Sequence, residues 1–161
     1  GEHIVHFAER FPNLVWQPSD YAEASLPSIA AWVAEAGVQN VLPAVRIDAS
    51  AADWPIAKAD AIVCINMIHI SPWTATEGLM AGAGRLLAPG APLYLYGPFL
   101  RDEVETAPSN LDFDRSLKER DPQWGLRDLA DVTALARQHG LQLESVIDMP
   151  ANNLSVIYRK G

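Results

Sequence analysis

The chain has 161 residues, 49% apolar and 20% charged, enough apolar chain to bury a core without disulfide or metal staples. Its 12 Lys and Arg against 20 Asp and Glu leave a formal charge of -8. A phosphate backbone is repelled by that average and no Lys/Arg cluster offsets it, so nucleic acid is a disfavoured partner.

The lone cysteine, Cys64, has no intrachain disulfide partner, and its place in an apolar run suits a buried small hydrophobe. No apolar run is long enough to span a bilayer, and the first residues follow a helical pattern rather than a signal-peptide one. The expectation is one domain over residues 1–161, cytoplasmic, with no membrane partner.

Ile4, Val5, Phe7, Ala8 and Phe11 stand at helical spacing, and Pro12 stops that run. Leu14 to Gln17 reads as a short strand leading toward Asp20. Ser25 is placed to cap a second helix through Ile29, Ala30 and Val33, ending at Gly37. Residues 41–48 form a second strand interrupted by Pro43, which lacks the ladder donor and argues for a sheet edge. Ala61 to Met67 is the most apolar strand, a run suited to a sheet covered on both faces.

Thr74 and Glu77 have capping-box spacing ahead of a helix whose stripe is Leu79, Met80, Ala83, Leu86 and Leu87, closed by Pro89-Gly90. PLYLYG, residues 92–97, is the next strand. Residues 98–125 are polar and irregular, with a short helix around Phe113 to Arg120. A long insertion of this kind suits a lid, which Phe113 and Trp124 would anchor. Asp112, Asp114, Arg115, Glu119 and Arg120 read as a solvated face. Leu126 to His139 is a further helix, stopped by Gly140. The strands LQLESVID and LSVIY close the chain with only MPANN between them, too short for a parallel crossover, so they must be antiparallel if they pair.

This is an alternating α/β pattern, largely parallel, ending in an antiparallel hairpin. Ligands of such sheets bind beyond the carboxyl ends of the strands. Asp20, Asp48 and Asn66 each stand just beyond one. His69 has a side chain suited to proton transfer near neutrality. His3 and His6 share a helix face, but no third ligand has persuasive spacing and no metal site is expected.

The run ADAIVCINMIHISPW, followed by LMAGAGRLLAPGAPLYLYGPF, resembles the middle of a class I S-adenosylmethionine-dependent methyltransferase. The whole chain resembles a family of uncharacterised methyltransferase-like proteins known only as a domain of unknown function. The resemblance implies a Rossmann-like α/β sheet and S-adenosylmethionine as cofactor, with S-adenosylhomocysteine as product. By position it implies that Asp20 holds the ribose hydroxyls, and that Asp48 with adjacent Ala49 lies near the adenine. Asn66 and Met67 would line the methionine end, and His69 is the one general-base candidate beside the transferred methyl. The partner implied is a small-molecule acceptor, selected by residues 98–125.

The resemblance also implies a first strand and a glycine-rich loop ahead of the first helix. This sequence starts at that helix, with Gly1 matching the last glycine of the loop, so the native protein is expected to be longer. Two other readings stand beside methyl transfer. One is a non-catalytic binding or scaffold protein on the same fold. The other is a nicotinamide-dependent oxidoreductase, since an acidic residue after the second strand also suits a dinucleotide ribose.

Overall fold

The computed structural model describes residues 1–102 and 104–161. The chain divides into two compact units, Gly1–Pro55 and Ile56–Gly161.

In the first unit, α1 (Glu2–Arg10) buries Val5 and Ala8, and the chain leaves the helix at Phe11. Strand β1 (Ser19–Asp20) pairs in parallel with β2 (Val45–Arg46), in register Asp20 to Arg46. Between them α2 (Leu26–Ala36) ends at Gly37, whose φ of 67° lies in the left-handed region that glycine enters without a Cβ clash. Two sequence expectations change here. The strand at Leu14 to Gln17 is reduced to one bridge between Trp16 and Val41, and the ladder proper starts beyond Pro18, which has no N–H to give. Leu14 and Val15 are accordingly exposed. Ser25 makes no side-chain cap; Pro27 in the first turn already removes one of the N–H groups a cap would satisfy. In place of those signals, the Asn40 amide ties the turn after α1, donating to the carbonyls of Ala8, Phe11 and Leu14 at 3.1, 3.3 and 2.9 Å.

The second unit holds a four-stranded sheet ordered β3-β4-β8-β7. Strand β3 (Ile62–Ile65) runs parallel to β4 (Pro92–Gly97). Strand β8 (Asn153–Lys160) lies antiparallel between β4 and β7 (Leu141–Met149). The five-residue reach of MPANN thus yields the expected hairpin. Strand β3 is shorter than expected, and within this unit it is an edge strand with Val63 39% exposed.

Helix α3 (Trp73–Leu86) buries Leu79, Met80, Ala83 and Leu86, matching the stripe read from sequence. It begins one residue before Thr74, so the capping box does not form. Helix α4 (Pro108–Arg120) starts earlier than expected and fills much of the stretch read as irregular; within that stretch Glu103 lies outside the described residues. Helix α5 (Leu129–Gln138) starts later than expected. Leu126 to Asp128 are drawn instead toward β5 (Phe99–Leu100), with which β6 (Arg127–Asp128) pairs in parallel. Asp128 then caps α5, accepting from Ala130 N–H at 2.6 Å.

The core of this unit includes Met80, Leu93, Leu95, Leu117, Val132, Leu141, Val156 and Tyr158, each essentially inaccessible to water. Truncating any one of its leucines to alanine costs about 2–5 kcal/mol, transfer and cavity terms together. No helix among the described residues is long and apolar enough to cross a membrane.

Candidate functional site

The first unit presents its acidic candidates at strand ends. Asp20 closes β1, and Asp48 follows β2, its parallel neighbour, so both stand at the same edge of that ladder. Each carboxylate spends one oxygen locally. Asp20 Oδ1 accepts from Ala22 N–H at 2.8 Å, an Asx turn. Asp48 Oδ1 accepts from the Ser50 amide at 2.9 Å and the Ser50 hydroxyl at 2.6 Å. The hydroxyl bond holds the Asp48 carboxyl below its ordinary pKa, helped by the Arg46 charge. The second oxygen of each has no protein partner among the described residues and can accept from a ligand. Ala49 continues the turn beyond Asp48. Gly1 precedes α1, and its carbonyl accepts from Val5 N–H at 3.2 Å. A side chain there would stand 2.5 Å from Trp32, so the chain enters α1 too tightly for a Cβ.

The second unit carries the other candidates on the turn after β3. Asn66 leaves the strand with φ 58°, in the left-handed region that Asn tolerates better than most residues. One 3-10 turn, Met67–His69, follows before α3. Met67 is tied through Ser71, whose hydroxyl donates to the Met67 carbonyl at 2.7 Å. His69 is wholly buried, its ring meeting the edge of Phe99 at 5.0 Å between centroids. Asn66 Oδ1, His69 Nδ1 and His69 Nε2 are buried without a hydrogen-bond partner. Leaving such atoms unpaired costs about 1–3 kcal/mol each. Burial first, then the Arg127 charge, pushes the His69 pKa down to about 4, while the Gly125 backbone pulls weakly the other way. The imidazole is therefore neutral at physiological pH.

Sequence reading missed Arg127. Its Nε donates to the Ile68 carbonyl at 2.9 Å and its Nη2 to the Ser71 carbonyl at 2.6 Å, gripping the turn that carries His69. No local signal marks that grip, because the two carbonyls lie more than fifty residues away in sequence. Asp114 also leaves the solvated face assigned to it, accepting from Leu126 N–H at 2.8 Å. Of the lid anchors, Trp124 lies under the Arg120 guanidinium at 5.0 Å, and Phe113 is exposed.

The family described as "Protein of unknown function (DUF938)" matches residues 1–160. The chain belongs to this family. Its fold is that of the class I methyltransferases. An O-methyltransferase family protein from Burkholderia thailandensis superposes with TM-score 0.85 at 15% identity, over 98% of this chain and 47% of that one. The apo S-adenosylmethionine-dependent methyltransferase SibL gives TM-score 0.79 at 20% identity, over 98% and 46%. An O-methyltransferase family 2 protein from Planctomyces limnophilus, in complex with apigenin, gives 0.79 at 19%, over 98% and 46%. The chain spans just under half the length of these proteins.

Proposed function

We propose that this DUF938 protein binds S-adenosylmethionine and transfers its methyl group to a small-molecule acceptor. The observation that carries the reading is Asp20: a carboxylate at the carboxyl end of a parallel strand, one oxygen fixed by its own turn and the other without a protein partner. A carboxylate so held is pre-oriented to accept from ribose hydroxyls in charge-assisted bonds. On this reading the first unit holds the nucleoside, with Asp20 on the ribose, Asp48 and Ala49 near the adenine and Gly1 a further contact. Bound there, S-adenosylmethionine supplies a methyl group already activated on a sulfonium.

What the protein must add is alignment and exclusion of water more than covalent help. His69, neutral at physiological pH, has a lone pair free to take the proton that an acceptor hydroxyl loses. Its ring is covered in this structure, so that role requires the imidazole to become accessible to the acceptor.

The same burial favours a second reading, cofactor binding without turnover. One experiment separates these from an unrelated ligand: calorimetric titration of S-adenosylhomocysteine into wild type, Asp20→Ala and His69→Gln, with a methyl-transfer assay on a panel of phenols, thiols and amines. The methyltransferase reading expects micromolar binding, weakened about tenfold in Asp20→Ala, near 1.4 kcal/mol, and turnover lost in His69→Gln with binding retained. Binding with no turnover on any acceptor supports the second reading. Saturable NADH binding with no S-adenosylhomocysteine binding would overturn both and point to an oxidoreductase.

A further inference from the structure

We infer that Arg127 is the positioning residue for His69, its guanidinium locking the turn after β3 so that the imidazole is held against Gly97 and Phe99. The inference rests on reading that turn as part of the functional site.

The turn needs an external brace. It opens with Asn66 in the left-handed region and continues as a single 3-10 turn, so its carbonyls point out of any ladder or long helix. The turn's own amides and Ser71 satisfy Asn66 and Met67, and the 125–127 segment satisfies the carbonyls that follow. Arg127 bonds the carbonyls of Ile68 and Ser71, and Gly125 N–H donates to the His69 carbonyl at 2.9 Å. The carbonyls of Ile68, His69 and Ser71 are thus held from one segment. A third bond, Arg127 Nη2 to the Gln123 carbonyl at 2.9 Å, ties the fork back to its own loop. The Trp73 ring lies 5.8 Å from the guanidinium carbon, within cation–π range.

The same ladder fixes the ring. Arg127 pairs with Phe99 across β5 and β6, and Phe99 is the residue whose ring meets the His69 imidazole. Backbone and side chain of His69 therefore depend on one two-stranded contact. Lysine, a point charge without the planar fork, cannot reproduce two divergent carbonyl bonds. The charged groups around the turn are few. Arg127 faces His69 from β6, and Asp114 on α4, paired with Lys118, supports the Arg127 charge from behind. Gly97 and Phe99 face the ring from β4 and β5 without a titratable group. The Cys64 thiol in β3 is pushed up to about 12 by burial and stays protonated.

The test follows the His69 ring by NMR titration, and the amides of 67–71 by hydrogen exchange, in wild type, Arg127→Lys and Arg127→Gln. In Arg127→Gln the His69 midpoint is expected to rise by about one unit or more as the charge leaves and the turn loosens. In Arg127→Lys the charge remains and the fork is lost. The midpoint then moves less, while the turn amides exchange about tenfold faster against unchanged β4 amides. If Arg127→Gln does not fold, Arg127→Lys decides alone. A folded variant with wild-type midpoint and wild-type turn protection overturns the inference. Neither readout uses cofactor or turnover, so a wild type that binds no S-adenosylhomocysteine sinks the functional reading without touching this one.

Discussion

A methyl group on Gly97 would stand 2.5 Å from the Nε2 of His69 and 3.0 Å from the Oδ1 of Asn66. Strand β4 therefore ends beneath the imidazole with no room for a side chain. Gly97→Ala forces the ring or the strand end to move, and overpacking of this kind costs about 1–3 kcal/mol. Urea unfolding reads that cost, and the His69 ring resonances should shift with it. A variant as stable as wild type with unmoved resonances would refute the contact.

The buried imidazole also couples stability to acid. The His69 pKa of about 4 in the folded chain lies below its ordinary 6.5. Between those values the unfolded chain takes up a proton that the folded chain refuses. Its stabilising contribution is thus complete above about pH 6.5 and disappears as pH falls toward 4, on the order of 3 kcal/mol in all. His69→Gln should flatten that slope in urea titrations across the window. Parallel slopes for variant and wild type would show that His69 is not the group responsible.

The buried hydroxyls of Thr133 on α5 and Tyr158 on β8 share one bond at 2.9 Å. Tyr158→Phe leaves the Thr133 hydroxyl with no partner in a dry site, at a cost of about 1–3 kcal/mol. Adding Thr133→Val removes the orphan, so the double variant should lose less than the sum of the single losses. A double-mutant cycle with no coupling would count against the bond.

At the tip of the β7–β8 hairpin, Ala151 has φ 59°, where an L side chain crowds the following carbonyl. Asn110, from α4, holds that tip by donating to the Asn152 carbonyl at 3.0 Å. Ala151→Gly should stabilise the protein by about 0.5–1 kcal/mol, after the entropy glycine adds to the unfolded chain is subtracted. A lower urea midpoint for this variant would mean that the turn differs from the one described.

Local chemistry marks several elements without help from the rest of the chain. Gly37 ends α2 because only the following left-handed residue closes the helix cheaply. The stripe Leu79, Met80, Ala83, Leu86 makes α3 one-sided, and MPANN is too short for anything but an antiparallel return. Asp48 beyond its strand is local in the same way, whereas Asp20 falls inside the ladder and not beyond the strand read at Leu14 to Gln17.

What local chemistry leaves open is decided by partners distant in sequence. Ser25 and Thr74 look like caps, yet the helices start from other constraints, and Asp128 caps α5 only because β5 draws Leu126 to Asp128 out of the helical pattern. The insertion of β8 between β4 and β7 depends on its ladder with β4, a pairing distant in sequence. The burial of His69, the clearance over Gly97 and the grip of Arg127 belong to this second kind. Residue type shows that His69 is able to carry a proton. Whether it is neutral, where its ring lies and what holds it there follow from desolvation and from carbonyls braced across more than fifty residues, which no window of the sequence contains.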